Sequence, residues 1–270
     1  MIPKTIHYCW FSNDPMPAEL KRCIASWKRN LPEYNIRKWD SRSLENIPTI
    51  PFVEEAVKAK KWAFACDYIR VYALYHEGGI YMDSDVYVRK SFDSLLDNRA
   101  FTAVECYPEL MEKIYKEGKV DLEGNKVEGI EYINGIQIQA AILAAEKGHP
   151  FIKECMEYYH DKHFVLPDGT LDTKIISPFI FANIGIKYGF KFLDVEQNLK
   201  EGLRIYPSSL FAPNMNLIKD SNIAIHCCAG SWRWMPSDGV AYRIQLIKEI
   251  IKNILFKMGL RGNSIRKKVR

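Results

Sequence analysis

One run of residues constrains this chain more than any other. Trp62 to Tyr75 has helical spacing, Gly78-Gly79 ends it, and Ile80-Tyr81-Met82 reads as a short strand running straight into Asp83-Ser84-Asp85. A glycine pair stops a helix because glycine enters left-handed backbone at no steric cost. A strand followed at once by two acids puts carboxylates at its carboxyl end, where open α/β sheets bind ligands. Two carboxylates one residue apart can share a hard cation. Magnesium or manganese takes oxygen ligands and leaves positions for substrate phosphates. An isolated Asp-x-Asp is more often a solvated turn with an Asx cap.

The neighbouring patterns extend this to a fold class. Lys4 to Trp10 reads as a strand, Pro17 to Asn30 as a helix carried by Leu20, Ile24 and Trp27, Tyr34 to Trp39 as an alternating strand, and Phe52 to Lys60 as a helix. Further on, Phe101 to Val104 and Tyr132 to Gln139 read as strands, with a charged, glycine-containing excursion or lid, Glu109 to Glu128, between them. Phe151 to His160 and Ile175 to Tyr188 read as helices, Ile223 to His226 as a late buried strand, and Val240 to Met258 as a long amphipathic helix. Alternating strands and helices predict an α/β sheet with parallel strands at its centre. The 270 residues suffice for one sizeable core, and no linker divides them. The expected organisation is a single domain over 1–242, followed by a basic helix and tail over 243–270.

Composition narrows the class. Hydrophobic residues make up 47% and charged residues 26%, which suits an ordered globular chain. No apolar run is long enough to span a membrane, and Met1 to His7 lacks a signal-peptide core, so the expectation is a cytoplasmic protein. Seven irregularly spaced cysteines with no CxxC pair argue against a zinc ribbon and predict reduced, mostly buried thiols. The net charge of +5 is uneven: residues 243–270 carry +8, which leaves the rest at −3.

The segment upstream of the two acids carries a further pattern. Asp67 and Arg70 stand at i and i+3 on one helix face, while Val71 and Leu74 can face the core. A carboxylate there can accept from sugar hydroxyls, and a guanidinium can donate to a hydroxyl or phosphate oxygen. The run Ala65-x-x-Asp67-x-x-Arg70-x-x-x-Leu74-x-x-x-Gly78-Gly79-x-Tyr81-x-Asp83-x-Asp85 resembles the signature of glycosyltransferase family 32, the DXD sugar-binding glycosyltransferases of bacterial capsule and lipopolysaccharide synthesis. It is also similar to that of the clostridial glucosylating toxins. Cys66 departs from the pattern, where serine is commonest. Ile2 to Trp10 resembles the family's opening strand, and Ile225-His226-Cys227-Cys228-Ala229-Gly230-Ser231-Trp232 resembles its late His…Ser-Trp element. The middle of the chain matches poorly.

The resemblance implies a GT-A fold, a Rossmann-like mixed sheet flanked by helices, and a retaining, metal-dependent transfer of a hexose from a nucleotide-sugar. It implies that Asp85 binds manganese or magnesium and that Asp83 touches ribose or sugar, binding the metal directly or through water. Tyr81 then shapes the sugar pocket, and Asp67 and Arg70 hold the donor sugar. Trp10 stacks on the base, with the backbone at Ile6 and His7 and the Trp39-Asp40 step completing the nucleotide site. Ser231 and Trp232 donate to the β-phosphate. His226 is a third metal ligand or a core histidine. Asn134 and Gln137 are acceptor candidates on the grounds that amides suit sugar hydroxyls. The acceptor class is a saccharide, lipid-linked or free, in cell-surface polysaccharide synthesis, and the donor is a UDP-sugar ahead of GDP-mannose. The rival class is a metal-dependent phosphohydrolase or nucleotidyltransferase that uses the same two acids. No nucleic-acid module accompanies the basic tail.

In the tail, Ile247, Ile251, Ile254 and Met258 form an apolar stripe flanked by Arg243, Lys248, Lys252 and Lys257. Such a helix can lie on an anionic membrane, here the inner face of the cell membrane, or pack on the domain with a frayed basic end. The membrane role predicts that deleting residues 243–270 abolishes pelleting with anionic liposomes. Equal pelleting of both chains would end it.

Overall fold

The computed structural model describes residues 1–228, apart from 49, 215 and 216. The expected C-terminal helix and tail, the boundary at 242, and Ser231 and Trp232 lie outside the described residues.

The chain opens with β1 (Thr5–Cys9), α1 (Ala18–Asn30), β2 (Asn35–Trp39), the short α2 (Ser41–Leu44), α3 (Pro51–Lys58) and α4 (Trp62–Glu77). Glu19 in the first turn of α1 and Lys28 and Arg29 in its last complement the helix dipole. Helix α4 stops at Gly78, with φ of 70°, and Gly79 follows at 110°. Then come β3 (Gly79–Met82) and, across the Asp83–Asp85 turn, β4 (Val86–Val88). The remainder comprises β5 (Ala100–Cys106), α5 (Pro108–Lys116), β6 (Ile136–Ile138), β7 (Ile142–Ala145), α6 (Pro150–Glu157), α7 (Ser177–Tyr188), β8 (Gln197–Asn198), β9 (Leu203–Tyr206), β10 (Phe211–Ala212) and β11 (Ala224–His226).

The main sheet runs β2-β1-β3-β7-β5-β9-β8, with β6 also on β5. Strands β2, β1 and β3 are parallel, as are β5 and β9, but β7 lies antiparallel to both β3 and β5. The sheet is thus mixed, flanked by helices, and not parallel at its middle as the sequence pattern suggested. Sequence periodicity reports burial, and a strand buried on both faces reads the same in either direction.

Alternate residues of β3 enter opposite cores. Ile80 and Met82 pack in a cluster with Trp27 of α1 and Leu31 just after it. Tyr81 packs in the other, with Ala65, Ile69 and Leu74 of α4. A smaller sheet, β10-β11-β4, completes the α1 side. Helix α1 is stitched to β4 by side chains: Trp27 Nε1 donates to the Val86 carbonyl at 2.7 Å, Val88 N donates to Ser26 Oγ at 2.9 Å, and Asn30 Nδ2 donates to the Val88 carbonyl at 2.9 Å.

The segment read as a lid contains helix α5, and the strand expected over Tyr132 to Gln139 is regular only over β6. Between β6 and β7, three residues interrupt an otherwise continuous antiparallel edge. Val104 pairs with Ile138 and Phe101 with Ala144, so the register slips across Gln139–Ala141. Thr102 Oγ1 spans this bulge and donates to the carbonyls of Gln139 and Ile142 at 3.0 and 2.7 Å.

The Gly78-Gly79 turn is a point of close approach. A Cβ on Gly79 would lie 2.5 Å from the Thr5 carbonyl, at a φ that L-residues rarely adopt. Gly79→Ala is expected to cost at least about 2 kcal/mol of folding stability. Urea unfolding would check this, and a midpoint unchanged from the native chain would contradict it.

Candidate functional site

The carboxyl ends of β1, β2 and β3 lie along one edge of the sheet, because the three strands are parallel and in register. Trp10, Asp40 and Asp83 follow those strands directly, so all three reach that edge. Trp10 N donates to the Trp39 carbonyl at 2.8 Å, which holds the two strand ends together. Beside them a cavity of about 330 Å³ is lined by Trp10, Phe11, Ser12, Asn13, Lys38, Asp40, Ser41 and Arg42. Asp40 also caps α2, accepting from Ser43 N, and pairs with Lys38 at 2.8 Å.

Residues Asp83–Asp85 are pinned from both sides. Asp83 N donates to the Ala141 carbonyl at 2.9 Å, Val86 N donates to the Asp83 carbonyl at 3.0 Å, and Cys227 N donates to the Asp85 carbonyl at 3.0 Å. Strand β11 runs antiparallel to β4 with His226 opposite Val86, which brings the imidazole beside Asp85. His226 Nε2 lies 3.5 Å from Asp85 Oδ1. Ligand atoms of Asp83, Asp85 and His226 all fall within 4.8 Å of one another, a spacing and donor set that fit one divalent cation. Burial alone would lower the His226 pKa, but the adjacent Asp85 charge outweighs it and raises it.

Arg70 is the hub beneath the turn. Its Nη2 lies 3.2 Å from Asp67 Oδ1 and 3.3 Å from Asp83 Oδ1, and its guanidinium sits 4.9 Å over the Tyr81 ring. Tyr81 OH donates to the same Asp83 oxygen at 3.0 Å. Arg70 and Tyr81 therefore hold one oxygen of Asp83. Asp67 also accepts from the hydroxyl and amide of Ser177, where α7 begins, so a helix N-terminus faces this carboxylate. Burial nevertheless dominates, raising the Asp67 pKa to about 6 against the pull of Arg70. Burial also raises Asp83, with Arg70 opposing and Asp85 adding to the shift.

The remaining sequence candidates separate by placement. Ile6 is wholly buried. His7 and Trp39 have their side chains in the core: Trp39 Nε1 donates to His7 Nδ1 at 3.2 Å, and His7 Nε2 meets the Gly78 carbonyl at 2.9 Å. That relay braces the turn before β3, and the backbone at both positions lies in the sheet pairing. Burial lowers the His7 pKa to about 4, so the ring stays neutral and Nε2–H is the donor. Asn134 is exposed in a bend before β6. Gln137 is 3% exposed on β6, opposite Glu105.

The sequence did not single out Ser177 or Gln139. Gln139 is fully buried at the bulge, and among the described residues neither of its amide atoms has a partner; Gln137 Oε1 and Arg70 Nε share that condition. A buried polar atom left unpaired costs about 1–3 kcal/mol. A ligand rich in hydroxyls would satisfy such atoms. The run of alternating isoleucines and glutamines over 136–139 was the available signal, since amides on a core-facing strand require partners.

Residues 17–102 match the family model described as glycosyltransferase sugar-binding region containing DXD motif. The match takes in β2, α4, β3 and the Asp83–Asp85 turn, and is similarity to a glycosyltransferase sugar-binding region over about a third of the chain. A stretch of 52 residues is 44% identical to toxin Afp18 of Yersinia ruckeri serotype O1, covering 19% of this chain; the chain spans 2% of that toxin's length. Among solved structures, the chain is similar to the PaToxG glycosyltransferase at 17% identity, over 69% of each chain, with a TM-score of 0.45. It is similar to galactosyltransferase LgtC in complex with donor and acceptor sugar analogs at 16% identity, over 86% of this chain and 90% of that one, with a TM-score of 0.44. Mouse xyloside xylosyltransferase 1 in its apo form gives 9% identity, 84% and 98% coverage, and a TM-score of 0.47. All three scores lie below 0.5, so the fold description rests on the strand order and register given above.

The Asp67 shift has a stability consequence. Its pKa rises from 3.8 to about 6 on folding, so across that window the folded chain holds a proton the unfolded chain has lost. Stability contributed by this group therefore falls as pH rises from 3.8 to about 6 and stays lost above it. Asp67→Asn, neutral throughout, is expected to lose this fall in stability between pH 3.8 and about 6, whatever the constant cost of removing one partner of Arg70. Calorimetry across this range checks it; a variant whose Tm falls as steeply as the native chain's would contradict it.

Proposed function

We propose that the protein is a retaining, metal-dependent glycosyltransferase that moves a hexose from a nucleotide-sugar, with UDP-sugars favoured over GDP-mannose, to a saccharide acceptor in cell-surface polysaccharide synthesis. The observation that carries this reading is the convergence of Asp83, Asp85 and His226 at the carboxyl end of β3, on the same edge as the Trp10 and Asp40 cavity.

In this reading the base lies against Trp10, with its ribose near Asp40 and Asp83. Asp83, Asp85 and His226 would hold manganese or magnesium, which when bound would supply positive charge to the departing diphosphate. Asp67 accepts a hydrogen bond from a hydroxyl of the donor sugar, and Arg70, fixed by two carboxylates, offers its Nε, which has no partner among the described residues, to a sugar or phosphate oxygen. Ser231 and Trp232 donate to the β-phosphate. The anomeric carbon becomes oxocarbenium-like as its bond to oxygen lengthens. The acceptor hydroxyl attacks from the same face, passing its proton to the leaving oxygen, which keeps the α configuration. Gln139, whose amide atoms have no partner among the described residues, and Gln137, whose Oε1 has none, suit acceptor or donor hydroxyls.

No helix among the described residues is long and apolar enough to cross a membrane. Contact with a lipid-linked acceptor would then fall to the basic 243–270 segment.

A phosphohydrolase or nucleotidyltransferase would break a different bond. Hydrolysis of the donor in the absence of acceptor should release free sugar and nucleoside diphosphate, not sugar phosphate and nucleoside monophosphate. Thermal-shift screening against UDP-, GDP- and CDP-sugars should show manganese-dependent stabilisation by one nucleotide class. Asp85→Ala should lose that stabilisation and lower transfer by at least about a hundredfold. Full turnover by this variant, or product of inverted configuration, would overturn the reading.

A further inference from the structure

Helix α1 and the end of β11 meet through two thiols. Cys23 Sγ lies 4.0 Å from Cys227 Sγ, across 204 residues of chain. Cys23 is 4% exposed, and Cys227 is half-buried. A disulfide bond is about 2.05 Å long, so the sulfurs need to close by about 2 Å. We infer that Cys23 and Cys227 form a thiol–disulfide exchange site for low-molecular-weight disulfides, and that closing it displaces His226. The second half rests on the metal reading above; the first half does not.

The two sides of the pair are unequally held. Cys23 sits in a thirteen-residue helix whose Ser26, Trp27 and Asn30 all bond to β4. Cys227 follows a strand of three residues and precedes Cys228, a non-glycine residue at φ of 50°. The Cys227 side therefore moves on closure. It is joined to His226 by a peptide bond and to Asp85 by the 3.0 Å bond from its own amide. Both metal-ligand candidates thus feel the displacement.

The exchange balances in two steps. Cys227 gives up its proton and attacks one sulfur of the reagent, whose disulfide bond breaks and releases one thiol carrying that proton. Cys23 then gives up its proton and attacks Cys227 Sγ, breaking the mixed disulfide and releasing the second thiol. Two protein thiols are oxidised and one small disulfide is reduced to two thiols. Cys9 and Cys66 also bond thiol to thiol, beside Tyr81 and Asp83, but they join β1 to α4 in the core and serve as the internal comparison.

The test uses the full chain, treated in parallel with glutathione disulfide and with a reducing agent. The oxidised chain should lose two hydrogens by intact mass, and peptide mapping should find Cys23 joined to Cys227. The reduced chain should gain thermal stability with manganese, and the oxidised chain should require about tenfold or more manganese for the same gain. Cys23→Ser should keep the reduced chain's response and, with the second thiol gone, stop at a mixed disulfide on Cys227 that glutathione disulfide leaves without a crosslink; Cys23→Ala repeats the control. No Cys23–Cys227 peptide, or a crosslink on Cys9–Cys66 instead, overturns the exchange site. A crosslinked chain that responds to manganese as the reduced chain does overturns the coupling. A reduced chain indifferent to manganese rejects the metal reading and the coupling with it, while the peptide map still decides the exchange site.

Discussion

A single buried guanidinium organises this sheet edge. Arg70 bonds to Asp67 on its own helix and to Asp83 on the next strand, and it lies over the Tyr81 ring between them. Removing such a charge from water is costly unless its partners are in place. The constraint therefore runs outward. Helix α4 must stop at Gly78, β3 must start at Gly79, and α7 must begin at Ser177 to complete the bonds around Asp67. The elevated pKa values of Asp67 and Asp83 measure how far desolvation still exceeds those attractions. A site that holds carboxylates in this condition favours a ligand bringing a cation or hydroxyl donors.

The early half of the fold could be read from residues alone because its signals are local. Leu20, Ile24 and Trp27 give α1 its stripe, and Gly78-Gly79 marks the end of α4 by a backbone requirement that only glycine meets cheaply. Strands β4, β7 and β9 escaped notice. Three residues, Val86–Val88, cannot show a period, and Leu203–Tyr206 is defined by its partner β5 more than by its own pattern. Helix α5 hid among charges because its buried face is narrow, with Ile114 buried and Glu112 and Lys116 on the solvent side. The reversed direction of β7 was likewise invisible, since Ile142–Ala145 is buried on both faces.

The site divides along the same line. Asp67, Arg70, Tyr81, Asp83 and Asp85 were identified because they occupy one continuous run. His226 was placed from a late motif, and its position beside Asp85 follows from an antiparallel pairing that residue spacing does not encode. His7 and Trp39 stand where the opening strands predicted, yet their side chains brace the glycine turn from within. Ser177 and Gln139 required the folded chain: one meets Asp67 across a helix start, and the other is buried at a bulge created by register slip.

The pairing of β11 with β4 also sets an order of assembly. The two acids belong to a turn whose neighbours in sequence are its neighbours in space, whereas the imidazole arrives from the far end of the described chain. Contacts between such distant segments form late, because the loop between them must first be closed. A partly folded chain would display the carboxylates without the histidine. The three-residue cluster is thereby withheld until nearly all of the described sheet exists.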